Sequence, residues 1–126
     1  MIHAENTALV LLDAETEGQV FRPGFARKII RTNDLMTVVI DIEGGPWAEP
    51  DPMHFHSHEQ VSYVAAGEIL FLCGGQPPRK LGAGDLFAVA SGVPHSIQLL
   101  SPTARLVDTF HPIREDFLQE EMSGRG

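Results

Sequence analysis

Residues 54–60 read HFHSHEQ, with histidine at 54, 56 and 58 and glutamine at 60. Side chains two apart lie on one face of an extended strand. The spacing therefore predicts a strand that turns His54, His56, His58 and Gln60 toward one point. Neutral imidazole is the commonest metal ligand among side chains, so a bound metal is the first chemistry these residues suggest.

The rest of the composition narrows what such a centre could serve. The chain has 126 residues, 43% of them hydrophobic, enough for one core. Nine Lys and Arg stand against 17 Asp and Glu, a formal net charge of −8. Nucleic acid and anionic membrane surfaces both require clustered cations, so neither is an expected partner. No apolar run is long enough to cross a bilayer, and MIHAENTALV lacks the basic and apolar regions of a signal peptide. The single cysteine, Cys73, excludes an internal disulfide and suits the reducing cytoplasm. At the end of the apolar run ILFLC it reads as a small buried hydrophobe.

The elements that must position the histidines read as strands separated by Gly and Pro turns. In LMTVVIDIE (35–43), Met36, Val38, Ile40 and Ile42 form one face. GGP turns the chain after them. VSYVAA follows the histidine stretch, Gly67 breaks the run, and EILFLC continues. VSYVAAGEILFLC is apolar on both faces, which predicts either a central strand buried on both sides or a homodimer using the outer face. GGQPP, GAGD and SGVP are further turns, and His95, Ile97 and Leu99 share a face of HSIQLL. Turn signals recur every 8–12 residues or so, the rhythm of an antiparallel sandwich or barrel. Only IREDFLQEEM (113–122) reads as a helix, an amphipathic cap with Ile113, Phe117 and Leu118 facing inward, before a loose SGRG tail.

The two histidine-bearing stretches together resemble the cupin motifs. The first carries His54, His56, Gln60 and Gly67; the second carries Gly84, Gly92 and His95, with Ala90 where that motif has proline. The resemblance implies an all-β double-stranded β-helix, or jelly-roll barrel. It also implies one divalent transition metal (Ni, Zn, Mn, Fe or Co) held by His54, His56, Gln60 and His95. Three imidazoles and an amide oxygen are all neutral, so the ion would keep its double charge, attract anions and polarise carbonyl or carboxylate oxygens. His58 falls between the motif positions and reads as a structural residue that lines the pocket or turns outward. His3 and His111 read as exposed.

A second cluster lies in ARLVDTF (104–110). Arg105 must seek water, so the opposite face, with Asp108 and Phe110, should point into the barrel. A buried carboxylate is costly unless bonded, which marks Asp108 as a functional group or as one satisfied by backbone or a nearby arginine. The stretch DTFHPIREDFL resembles the C-terminal signature of the KdgF-like cupins, and RPGFARKIIRTNDLM (22–36) resembles their N-terminal part. This resemblance implies catalytic roles for Asp108, Phe110 and Arg114. It also implies a small carboxylated sugar as substrate: a 4,5-unsaturated uronate opened to its linear keto form. Arg114 has a plainer reading, a surface ion pair with Glu115, Asp116 or another carboxylate. The competing functions are an Fe(II)-dependent cupin dioxygenase and a non-catalytic small-molecule binder. One cupin domain is expected over 1–126, its barrel core at about 20–111 and its cap and tail at 112–126.

Overall fold

The computed structural model describes residues 7–118 and the backbone of Ile2–His3. The His3 side chain and residues 119–126, including the rest of the expected helix and the SGRG tail, lie outside the described residues. The strands are β1 (Ile2–His3), β2 (Gln19–Arg22), β3 (Phe25–Arg31), β4 (Met36–Glu43), β5 (Glu59–Ala66), β6 (Glu68–Cys73), β7 (Arg79–Gly82), β8 (Leu86–Val89), β9 (His95–Leu99) and β10 (Thr103–His111). A short helix, α1, covers 115–118.

One sheet runs β1-β3-β4-β10-β5-β8, with β2 added beside β3; the other runs β7-β6-β9. All pairings except β1 with β3 are antiparallel. The two sheets face one another as a jelly-roll barrel, the expected fold class. Phe25, Ile42, Val64, Ala104 and Leu106 of the larger sheet meet Ile69 and Leu99 of the smaller in one core cluster. A second cluster of Ile29, Met36, Val38 and Phe110 is covered by Ile113, Phe117 and Leu118, the cap residues expected to face inward.

Alternation explains which side chains reach the interior. On β4, Met36, Val38 and Ile42 are buried and Ile40 partly so. On β10 the inward row is Ala104, Leu106, Asp108 and Phe110, so one carboxylate interrupts an apolar row. The register pairs Phe110 with Gln60, Asp108 with Ser62, and Leu106 with Val64 of β5. Cross-strand neighbours on one face lie about 5 Å apart, which sets two polar residues of β5 beside Asp108.

The structure corrects or refines the sequence reading at four points. Residues 55–58 form no strand; β5 starts at Glu59, and His54 makes only an isolated bridge to His95. Pro46, Pro50 and Pro52 precede this stretch, and proline cannot donate to a strand ladder. The run VSYVAA is not buried on both sides, since Val61 is 52% and Tyr63 42% exposed. Cys73 is half-buried, not buried. Ser96, on the face opposite His95, is also buried, because its hydroxyl donates to the Asp51 carbonyl of the covering loop.

Gly67 joins β5 to β6 at φ +84°, where a Cβ would stand 2.3 Å from the Thr103 carbonyl oxygen. Only glycine supplies both that conformation and that approach. The turn aligns β5 and β6 on opposite sheets, one carrying Gln60 and the other pairing with the His95 strand.

Candidate metal centre

His54, His56 and His95 bring one ring nitrogen each to within 4.8 Å of one another. Loops, not a strand, deliver the first two. The His54 and His95 backbones exchange hydrogen bonds of 3.0 and 2.9 Å, and the Gly92 N–H donates to the His56 carbonyl at 2.8 Å. The two motif-bearing loops are thereby tied together.

Each ring is held from behind by a backbone carbonyl. His56 Nδ1–H donates to the His58 carbonyl at 2.9 Å, and His95 Nδ1–H donates to the Val93 carbonyl at 2.9 Å. The His54 ring bonds the Pro52 backbone. Such back-bonding sets the tautomer and leaves the other nitrogen as a lone-pair donor for a metal. Burial pushes His54 and His95 below the usual imidazole range, which keeps them neutral near pH 7.

Two further observations match a cation. The buried Nε2 of His95 has no hydrogen-bond partner, a costly state that a metal would relieve. Gln60 Oε1 lies 3.1 Å from His56 Nε2. In the neutral ring that nitrogen carries no proton, so two acceptors face one another, and a cation between them removes the repulsion. The donor set fits a divalent transition metal with positions left open for a ligand.

Behind this cluster runs a buried hydrogen-bond chain. Gln60 Nε2 donates to Ser62 Oγ at 2.9 Å, and Ser62 Oγ donates to Asp108 Oδ1 at 2.7 Å. Burial raises the Asp108 pKa to about 6, while the Ser62 bond and the Arg114 charge pull it partly back. A cavity of about 190 Å³ connects the groups, bordered by His54, Gln60, His95, Asp108, Phe110 and Arg114. A larger and more open depression, about 610 Å³ around Arg105 and Asp41, contains no histidine.

The remaining sequence candidates fall as follows. Phe110 is buried and its ring lies edge-on to His56 at 5.8 Å. Arg114 lies over the Phe117 ring at 4.2 Å and pairs with Asp116 through bonds of 3.0 and 2.7 Å. Its plainer reading, an ion pair, therefore holds alongside its place at the cavity. His58 does not join the ligand cluster; its ring bonds the Ile113 backbone, against the C-terminal segment. His111 is exposed.

Sequence reasoning missed three residues of the site: Ser62, which lies behind Gln60, and Arg27 and Arg22, which border the cavity. Ser62 is fully buried within an apparently ordinary strand. Arg27 is 3% exposed, its guanidinium stacked between the Phe21 and Phe117 rings at 4.4 and 4.5 Å. Arg22 borders the cavity and pairs with Asp51. An arginine at an inward position of alternating β3 was the available signal for Arg27.

Comparison with known proteins agrees with this geometry. Residues 38–110 match the cupin domain family. The pectin degradation protein KdgF of Dickeya dadantii (strain 3937) is 36% identical over 109 residues, covering 85% of this chain and 96% of that protein. The crystal structure of KdgF from Halomonas sp. superposes with a TM-score of 0.79 at 31% identity, covering 88% of this chain and 99% of the other. An RmlC-like cupin from Shewanella frigidimarina NCIMB 400 gives a TM-score of 0.77 at 35% identity, covering 88% and 96%. With the barrel, the three-histidine cluster and a relative matched along nearly its whole length, the chain belongs to the cupin family and is a homologue of KdgF.

Proposed function

We propose that the protein holds one divalent transition metal through His54, His56, Gln60 and His95 and isomerises 4,5-unsaturated uronate monosaccharides to their linear keto form. The observation that carries this reading is a buried carboxylate with a raised pKa, Asp108, bordering the same small cavity as His54 and His95 of the three-histidine cluster. The similarity to pectin degradation proteins favours a uronate as the substrate.

The reaction adds and removes nothing. The proton leaves O1 of the cyclic hemiacetal, C1=O forms, and the C1–O5 bond breaks. Its electron pair stays on O5, giving an enolate across C4 and C5. A proton added at C4 then leaves C5=O. One proton therefore moves from O1 to C4, and Asp108 carries it. A carboxyl that titrates near 6 is able both to accept and to return that proton near neutral pH. The metal, when bound, supplies positive charge that attracts the acid and stabilises developing oxyanions.

Arg114 binds the sugar carboxylate, for which it must release Asp116 or share its remaining N–H groups. Phe110 packs against the ring and keeps water from the enolate. The test is to incubate metal-loaded protein with 4,5-unsaturated galacturonate and follow the keto form by NMR. Acceleration over buffer is expected; its absence rejects this substrate. Metal analysis of protein purified without an affinity tag checks the alternative: iron with oxygen-dependent turnover marks a dioxygenase.

We also infer that two copies associate through the outer face of β5 and β8. Val61, Tyr63 and Leu86 are exposed there, Tyr63 and Leu86 directly opposite in register, and contiguous exposed apolar surface favours association. Light scattering should give the mass of a dimer, and Tyr63→Lys should give that of a monomer. A cytoplasmic location suits the free Cys73, and a single cupin domain suits the continuous barrel.

A further inference from the structure

We propose that Ser62 is a positioning residue for the metal centre: its hydroxyl, set between Asp108 and Gln60, holds the Gln60 amide with Oε1 toward the histidines. This rests on the reading of Gln60 as a ligand.

The direction of the chain follows from what each atom can do. An ionised carboxylate only accepts, so Ser62 Oγ spends its single proton on Asp108, at 2.7 Å. The lone pairs left on Oγ require a donor from Gln60, which only the NH₂ group provides, at 2.9 Å. Oε1 is then forced to the opposite side, where it meets His56 Nε2 at 3.1 Å.

With the amide reversed, Ser62 would donate to Oε1 and Asp108 would lose its bond inside the barrel. The NH₂ group would also point its protons at a cation. Gln60 is 7% exposed and Ser62 is fully buried, so water does not compete for these bonds. A glutamine needs such a device, because its two terminal atoms differ; a carboxylate ligand would not.

The experiment measures Co(II) affinity by chelator competition and the Co(II) d–d absorption band. Ser62→Ala should weaken binding by about 10- to 100-fold, the usual effect of removing a group that orients a ligand, and should alter the band. Ser62→Thr, which keeps the hydroxyl, should restore both. In a Gln60→Glu background, where either oxygen serves, Ser62→Ala should change affinity by less than about threefold.

Should the alanine variant fail to fold, Ser62→Cys fills the same space with a weak hydrogen-bonding group and gives the same reading. An unchanged affinity in the alanine or cysteine variant, with Gln60→Ala still weakening binding, overturns the role of Ser62 alone. If neither Gln60→Ala nor His95→Ala weakens Co(II) binding, the metal centre itself falls.

Discussion

The two faces of β10 handle charge in opposite ways. On the outer face Arg105 sits opposite Asp41 in register and bonds it at 2.7 and 2.9 Å, with Asp13 adding a bond at 3.1 Å. On the inner face Asp108, three positions on, accepts a hydrogen bond from the Ser62 hydroxyl at 2.7 Å. The outer carboxylates stand partly in water beside a cation. The inner one is pushed to a pKa of about 6 by burial. A fold selected only for stability would place an apolar side chain there, as in the rest of the inward row. The contrast marks Asp108 as a group retained at a cost, which is where chemistry is expected.

Turnover should show the largest asymmetry between the faces. Asp108→Asn removes the proton carrier but keeps the shape, so turnover of 4,5-unsaturated galacturonate should fall about 10²–10⁴-fold. Metal content, measured by elemental analysis, should persist. Asp41→Asn should leave turnover within about twofold. Equal loss from both variants would erase the distinction.

Stability should move the other way. The unfolded Asp108 titrates near 3.8 and the folded one near 6. Below pH 3.8 both states hold the proton and the carboxyl imposes no charge penalty. As pH rises through 6 the folded state must ionise a buried group, and stability is lost. Asp108→Asn escapes this loss. In metal-stripped protein its urea midpoint should exceed wild type by the equivalent of roughly 1–3 kcal/mol at pH 8. The gain should shrink toward zero near pH 4. A destabilised variant at pH 8 would mean that the Ser62 bond outweighs desolvation.

This contrast also separates what the sequence revealed from what it hid. Alternation about Arg105 sent Asp108 inward, an inference that needs only local periodicity, whereas the resemblance to the cupin motifs picked out His54, His56 and His95, which the structure brings together. The same period-two logic failed at 54–58. Pro46, Pro50 and Pro52 lead into that stretch, which forms a loop, and its backbone bonds to Gly92 and His95 do the positioning. His58 then turns toward Ile113. Ser62 was invisible because its role exists only through the register that sets it against Asp108. Arg114 was visible both as a site residue and as a partner of Asp116, but not that it would take both positions at once.

That dual position of Arg114 yields a smaller prediction. The Arg114 bonds hold the Asp116 carboxyl below its usual range, and the pair occupies the fork a substrate carboxylate would use. Asp116 is half exposed, so the pair is worth about 0.2–1 kcal/mol. Asp116→Asn should lower KM for the uronate by roughly 1.4- to 5-fold, the equivalent of that energy, with kcat little changed. A higher KM in steady-state kinetics would show that Asp116 presents Arg114 to the substrate instead of competing with it.

The smallest effect belongs to the outer face. Arg105 and Asp41 are both partly exposed, where an ion pair is screened and holding two side chains costs entropy. Asp41→Asn should lower the urea midpoint by the equivalent of about 0.2–1 kcal/mol. Because the Debye length falls to about 3 Å at 1 M salt, that difference should fade as sodium chloride is raised to about 1 M. The Asp108→Asn gain at pH 8 should survive the same titration, since desolvation inside the barrel is not screened by ions outside it. If salt removed both differences alike, Asp108 would be sensing the outer charges and not its burial, and the two faces of β10 would obey one electrostatic rule.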